Sequence, residues 1–361
     1  MVYKVIGAMS GSSLDGLDLV FAAIQEKGGA WSYEIIEADC YPYPPQWTER
    51  LRQSTSMDTA SYLVLDQEYG RYTGGRILEF IHDHGLDYQV HFICSHGHTS
   101  FHEPGRGMTA QLGSGASIAA ITGLPVVSDL RAMDVALGGQ GAPLVPIGEM
   151  HLFADFDLLL NLGGISNISC KGPDGYHGFD ICPANSLLNA IAMTLGVPYD
   201  DGGKLAEAGT LNSTLLDQLN TLPFYRRPPP KSLDNGFGTE VLLPMVLGKA
   251  PGEAGLRTVC EHIAIQVSGA LGLLDWKGSG KMLVTGGGVF NRFLMKRIVQ
   301  AVSSRGVTVV IPDDRLVKFK EALIMAFIGV LRWRQMDTTL ASVTGASRNS
   351  IGGAIWSGMD D

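Results

Sequence analysis

The sequence predicts an α/β protein of two domains, each opened by a strand, a glycine turn and a second strand. Three observations carry this. At 361 residues the chain exceeds the size at which one core stops growing. Its 46 glycines stand well above the usual share of about 7% and follow no collagen period. Several of them cluster directly after short apolar runs, and two such clusters open successive halves of the chain.

Composition narrows the classes. A hydrophobic share of 45% with 17% charged residues argues for extensive burial. The net charge of −9 disfavours a nucleic-acid backbone or an anionic membrane surface as partner. Five cysteines (Cys40, Cys94, Cys170, Cys182, Cys260) lie scattered with no CxxC pair, as reduced thiols of a cytosolic protein would. No basic leader precedes a long apolar segment, and no apolar run reaches ~18 residues, so a cytoplasmic protein is expected.

The opening strand runs into Gly7-Ala8-Met9-Ser10-Gly11-Ser12-Ser13-Leu14-Asp15-Gly16-Leu17-Asp18, and an apolar run to Ile24 leaves it. Glycines permit the positive-φ conformations that aim successive N–H groups at one point, and serines add donors. An aspartate there can hold a hydrated metal ion. An ordinary Gly/Ser hairpin turn is the competing reading. A third strand is expected over 31–38, a break at 41–45, and a helix over 62–84 with Leu63, Leu65, Tyr69, Ile77, Leu78 and Ile81 facing the core. A short strand, 90–94, ends in Ser95-His96-Gly97-His98-Thr99. Six of the nine histidines fall between His82 and His102 without a recognised zinc spacing, so His96 and His98 read as the lining of a polar site. A turn near Gln111 leads into a small-residue helix, and a strand over 124–129 ends at Asp129 and Arg131. The loop over 138–146 is too rich in Gly and Pro for an element interior.

The second half repeats the opening. A strand over 156–160 meets the glycine turn 161–167 and returns over 168–170. Gly178 to Asn185 precedes a helix for which Asn185 is the expected N-cap. Asp180, just before that helix, would feel its positive end and stay ionised, which makes it a candidate general base; a structural cap or turn aspartate is the alternative. A polar loop at 200–203 and an extended segment at 227–232 follow, then a long amphipathic helix over 253–274. A third glycine turn, Thr285 to Asn291, follows the strand 281–284 and opens a helix over 292–302. Strand ends and helix N-termini are where phosphates settle. An apolar helix over 320–333 carries Glu321 near its start, where the acid could complement the dipole or touch substrate. A last strand or turn over 352–356 is expected to return to the first domain. Domain I is expected at 1–127 with about 338–361, and domain II at 128–337.

Gly7–Asp18, Ser95–Thr99, Ser128–Pro146, Asn161–Asn167, Gly178–Asn185 and Val284–Asn291 together resemble the motifs of the anhydro-N-acetylmuramic acid kinase family, in one order across nearly the whole chain. The resemblance implies the two-domain actin-like ATPase (ribonuclease H-like) fold shared with hexokinase and Hsp70, with duplicated mixed sheets and an interdomain cleft. It implies ATP and Mg²⁺, a small-molecule amino sugar as partner, and allows a homodimer. By position it gives Gly11, Ser12, Ser13, Leu14, Asp15, Gly16, Leu17 and Asp18 the first phosphate loop, with Asp15 reaching Mg²⁺ through water. Asn161, Gly163, Gly164 and Asn167 take the second phosphate loop, and Gly286, Gly287, Gly288 and Asn291 the adenosine loop. Asp180 matches the catalytic aspartate, while His96, Gln111, Asp129, Arg131 and Glu321 fall in the sugar pocket.

The family opens a 1,6-anhydro sugar with water and phosphorylates O6. A glycosidase needs a second carboxylate to protonate its leaving oxygen. Here the γ-phosphorus takes up that oxygen, so one base is enough. The chain departs from the commoner family form at Cys182, Ala184 and Asn189, and over Leu233–Phe237. A related sugar kinase with an altered substrate, and an ATP-gated binding protein, are the alternative functions.

Overall fold

The opening apolar run pairs with its successor as a hairpin because the Gly/Ser segment between them cannot continue a strand. In the computed structural model, which describes residues 1–11, 14–172, 175–229, 231–234 and 236–358, this hairpin is β1 (Val2–Ser10) and β2 (Gly16–Lys27). The meander continues through β3 (Ala30–Pro42), antiparallel to β2. On its other side β1 runs parallel to β4 (Phe92–Glu103), which turns back as β5 (Met108–Leu112) and also pairs with β6 (Val126–Ser128).

The second half builds the same pattern. Strand β7 (Leu158–Leu162) turns into β8 (Ile165–Gly172) and then β9 (Gly175–Pro183), all antiparallel. It lies parallel to β10 (Gly280–Thr285), which in turn pairs with β11 (Val307–Val310). The last strand, β12 (Ala354–Trp356), returns to the first sheet beside β6. The sheets run β12-β6-β4-β1-β2-β3 and β11-β10-β7-β8-β9. The expected duplicated mixed sheets are therefore present.

Two compact units result, residues 1–154 with 319–361, and residues 155–318. These boundaries replace the expected divisions at 127/128 and 337/338. Residues 128–154 belong with the first sheet: buried Asp134 accepts from the Thr344 hydroxyl at 2.7 Å, and Phe153 meets Tyr33 of β3 edge-on at 5.7 Å. The break expected at 41–45 is shorter, because β3 continues to Pro42 before a helix begins at Pro45.

In the first unit the helix Thr59–Asp83 starts where Asp58 accepts from the amides of Ala60 and Ser61. It buries Leu65, Tyr69, Ile77, Phe80 and Ile81 against Ile6, Leu19 and Phe21 of the sheet. Leu63 and Leu78, expected in that core, are 58% and 39% exposed; they lie off the stripe that the buried positions define. Gly7 is needed for close approach, since a Cβ there would lie 1.9 Å from the Ala322 carbonyl oxygen of the helix Asp314–Trp333.

In the second unit Leu158, Leu160 and Leu162 pack into one core with the helices Asn185–Met193, Glu253–Leu273 and Arg292–Ser303. All five cysteines are free thiols, Cys40 exposed and the others buried. Among the described residues no helix is long and apolar enough to cross a membrane.

Candidate active-site residues

The first hairpin turn is shorter than its motif. Ser12 and Ser13 lie outside the described residues. Leu14 adopts φ 58°, a conformation that costs a branched apolar residue energy, and its amide reaches the Gly11 carbonyl at 3.4 Å. Asp15 is exposed, and Gly16, Leu17 and Asp18 already belong to β2. Asp18 pairs with Met9 on one side and Cys40 on the other. Burial pushes its carboxyl up to about 6, against the Cys40 thiol hydrogen bond, and the nearby Asp15 and Glu321 carboxylates raise it further.

Ser10, the last residue of β1, ties the turn to the rest of its unit. Its hydroxyl meets His98 Nδ1 at 3.0 Å and accepts from the Tyr43 hydroxyl at 2.8 Å. Burial holds the His98 imidazole down at about 4, so it stays neutral.

In the first unit a pocket of about 370 Å³ is lined by His96, Gln111 and Asp129 together with Tyr62, Asp66 and Trp356. Three of the five expected sugar residues are thus brought together. Asp129 adopts φ 55° at the end of β6 and is exposed. The Gln111 side-chain amide donates to the Thr109 hydroxyl at 2.8 Å.

Arg131 does not line this pocket. Its Nε and Nη2 meet His96 Nε2 at 3.1 and 2.8 Å, and its Nη1 donates to the Gly141 carbonyl at 2.6 Å. Nε2 of His96 therefore carries the lone pair, and Nδ1–H faces the Gly97 carbonyl at 2.9 Å. Burial and the guanidinium hold this imidazole at about 3. Among the described residues no group of three His, Cys, Asp or Glu is placed to hold an ion.

Glu321 is the eighth residue of its helix, which begins at Asp314 rather than at 320, so the dipole explanation for it falls away. Burial raises its carboxyl, Lys320 opposes that, Glu149 adds to it and Arg131 opposes it. Lys320 and Glu149 form an ion pair at 2.7 Å with both side chains 5% exposed.

In the second unit the turn between β7 and β8 is Gly163-Gly164 alone; Asn161 and Asn167 sit within the strands. Register places Thr285, Asn161, Asn167 and Asp180 opposite one another in turn, a polar row across β10, β7, β8 and β9. Asp180 is thus a strand residue, five positions before the helix Asn185–Met193, and the dipole argument does not apply to it. Burial raises its carboxyl, opposed by the Leu233 amide, which donates to Oδ2 at 2.9 Å.

Asn185 is the first helical residue, not the cap. Its side-chain amide donates to the Leu162 carbonyl at 2.9 Å. The glycine turn itself caps that helix: the Gly164 carbonyl accepts from the amides of Ala184 and Ser186, and the Gly163 carbonyl from that of Asn185. Those helix amides are spent on the chain, so this N-terminus is not a phosphate site.

Gly286 adopts φ 87° and ψ 159°, a glycine-only conformation, and a Cβ there would lie 2.5 Å from Asn161 Oδ1. Gly287 and Gly288 continue into a short turn up to Phe290. Asn291 caps the helix Arg292–Ser303 through Leu294 N at 2.9 Å. Sequence reasoning missed the Leu233 amide and the His96–Arg131 contact, whose partners are 53 and 35 residues apart. It also missed Thr285, whose hydroxyl is buried without a hydrogen-bond partner among the described residues; the signal was its place at the head of the third glycine turn.

The family model for anhydro-N-acetylmuramic acid kinase matches residues 3–358. A Pseudomonas putida anhydro-N-acetylmuramic acid kinase is 35% identical, over 97% of this chain and 98% of its own. A Vibrio parahaemolyticus protein of the same name is 32% identical over 98% of each chain. Among solved structures the chain is similar, at a TM-score of 0.46 and 12% identity, to an activator of the 2-hydroxyisocaproyl-CoA dehydratase from Clostridium difficile with bound ADPNP, over 93% of this chain and 97% of that one.

Proposed function

The chain belongs to the anhydro-N-acetylmuramic acid kinase family and is a kinase, and we propose that it hydrolyses the 1,6-anhydro bond of anhydro-N-acetylmuramic acid while phosphorylating O6. The product is N-acetylmuramic acid 6-phosphate. The same proposal has the reaction run in the cytoplasm, in the recycling of cell-wall sugars.

The observation that carries this reading is the setting of Asp180. Asp180 closes a polar row that runs from Thr285 through two asparagines beside a glycine turn, and one of its carboxylate oxygens is held by a backbone N–H. Burial keeps that carboxyl above the ordinary range, which suits a base that must take a proton from water. Asp180 accepts one proton of the water as its oxygen bonds to C1. The C1–O6 bond breaks, O6 bonds to the γ-phosphorus of ATP, and ADP leaves. Gln111 and Asp129 serve the sugar as hydrogen-bonding partners, and His96, whose ring nitrogens are taken by Arg131 and Gly97, shapes the wall of the same pocket.

The glycine turns fit the phosphates of ATP, because Gly163 and Gly164 carry no side chain to block approach and their carbonyls are turned to the helix amides. Asp15 and Asp18 offer a fitting donor set for Mg²⁺. Two carboxylates on one hairpin, with Asp15 raising the cost of the Asp18 charge, suit an ion held mainly by water and phosphate oxygens. Mg²⁺ bound there would neutralise charge on the phosphates.

Turnover in ¹⁸O-labelled water tests the scheme. Mass spectrometry should find the label at C1 and unlabelled oxygen at O6 in the phosphorylated product, with turnover abolished by EDTA. A sugar phosphate without label at C1 would refute coupled hydrolysis.

A further inference from the structure

The segment Lys231–Leu233 holds Asp180 from two sides. The Asp180 amide donates to the Lys231 carbonyl at 3.1 Å, and the Leu233 amide donates to Asp180 Oδ2 at 2.9 Å. Three residues without regular secondary structure thus fix both the backbone and the carboxylate of one residue. The Lys231 side chain holds this segment in place. Its ammonium lies 4.7 Å from the centre of the Phe224 ring, 5.7 Å from that of Phe179 and 3.5 Å from the Phe224 carbonyl oxygen. Both rings are buried, and Phe179 directly precedes Asp180 on β9. A partly desolvated ammonium over aromatic faces is a tight anchor.

We infer that Lys231 is a positioning residue for Asp180, acting through the backbone at 231–233 and anchored by the Phe224 and Phe179 rings. The inference rests on the reading of Asp180 as the base. The Leu233 amide on Oδ2 fixes the orientation of the carboxylate that receives the proton of water. Releasing the segment lets the carboxylate shift, and a displacement of about 1 Å costs ~100-fold in rate. The ammonium is engaged by the two rings and the Phe224 carbonyl, so the loss is expected in kcat rather than in substrate binding.

The test compares Lys231→Met, Lys231→Arg and Phe224→Leu with Asp180→Asn and the unaltered enzyme, in kcat and in KM for sugar and for ATP. Lys231→Met should lower kcat about 10–100-fold and keep both KM values within about twofold. Lys231→Arg should recover most of that loss, since a guanidinium stacks on aromatic rings at least as well. Phe224→Leu should fall between the two.

Unchanged kcat in Lys231→Met, or a loss confined to the KM of either substrate, overturns the positioning role. Should Lys231→Met fail to fold, Phe224→Leu decides: an unaltered kcat there overturns the role as well. Asp180→Asn separates the two readings. Full turnover in that variant removes the base, whereas an inactive Asp180→Asn beside a fully active Lys231→Met removes only the anchor.

Discussion

The two units thread five strands in one order, β3-β2-β1-β4-β6 in the first and β9-β8-β7-β10-β11 in the second, yet they carry different chemistry. The first gathers charge: Asp15 and Asp18 on its hairpin, Asp129 at a strand end, and the Arg131 guanidinium against a neutral His96. The second sets amides and glycines around Asp180, with Asn161 and Asn167 in one row and Gly163 and Gly164 at their end. Topology fixes which strand ends carry functional groups. The residues placed there decide whether a unit recognises polar groups or moves a proton.

The sharpest break of that contrast is to remove one acid from each unit. Asp180→Asn should reduce sugar phosphate formation by about three or more orders of magnitude, because it deletes the proposed proton acceptor. Asp129→Asn keeps a hydrogen-bonding group of the same shape on the pocket wall. Its effect should appear mainly as about a tenfold rise in the sugar KM. Steady-state kinetics over both substrates checks the pair. Equal losses of kcat in the two variants would erase the division of labour.

A smaller contrast lies between two glycines of the second unit. A Cβ at Gly163 would meet its nearest atoms at 3.4 and 3.5 Å, which is ordinary contact, so Gly163→Ala should fold normally. If phosphates settle on that turn, the KM for ATP should rise about tenfold with the sugar KM unchanged. Gly286→Ala meets a glycine-only conformation and a 2.5 Å clash with Asn161, so it should lose about 1–3 kcal/mol of stability by denaturant unfolding. A stable Gly286→Ala, or a Gly163→Ala that leaves the ATP KM untouched, would contradict the respective assignment.

The local parts of this arrangement were legible in the sequence. Apolar runs broken by glycine clusters gave both hairpins, and the helix over 292–303 followed its glycine turn as expected. Extents failed where pairing outlasts the apolar pattern: Asp18, Asn161 and Asn167 are polar but lie inside strands, because their backbone groups are still bonded across the sheet. Glu321 was displaced for a related reason. Its helix begins six residues earlier than expected, at Asp314, and Asp313 accepts from Leu316 N, a start signal that stands in the sequence as Pro312-Asp313-Asp314. Contacts such as Leu233 to Asp180 join segments far apart in the chain, and no periodicity records them.

Asp18 gives the smallest and most specific effect, and it belongs to the first unit. In the unfolded chain its carboxyl titrates near 3.8, whereas in the folded protein burial and its acidic neighbours place it at about 6. Between those two values the folded state holds a proton that the unfolded state has released. Folding therefore weakens as pH rises through that window and the penalty stays constant above it. Asp18→Asn removes the titration and keeps a polar group beside Cys40. The variant should gain thermal stability relative to the unaltered protein at pH 7, and that gain should shrink as the pH falls towards 4. Mg²⁺ with nucleotide should narrow the gain at pH 7, since a cation beside Asp15 and Asp18 offsets the same repulsion. A difference in Tm that stays constant from pH 4 to pH 7 would mean that the hairpin of the first unit carries no more electrostatic strain than the glycine turn of the second.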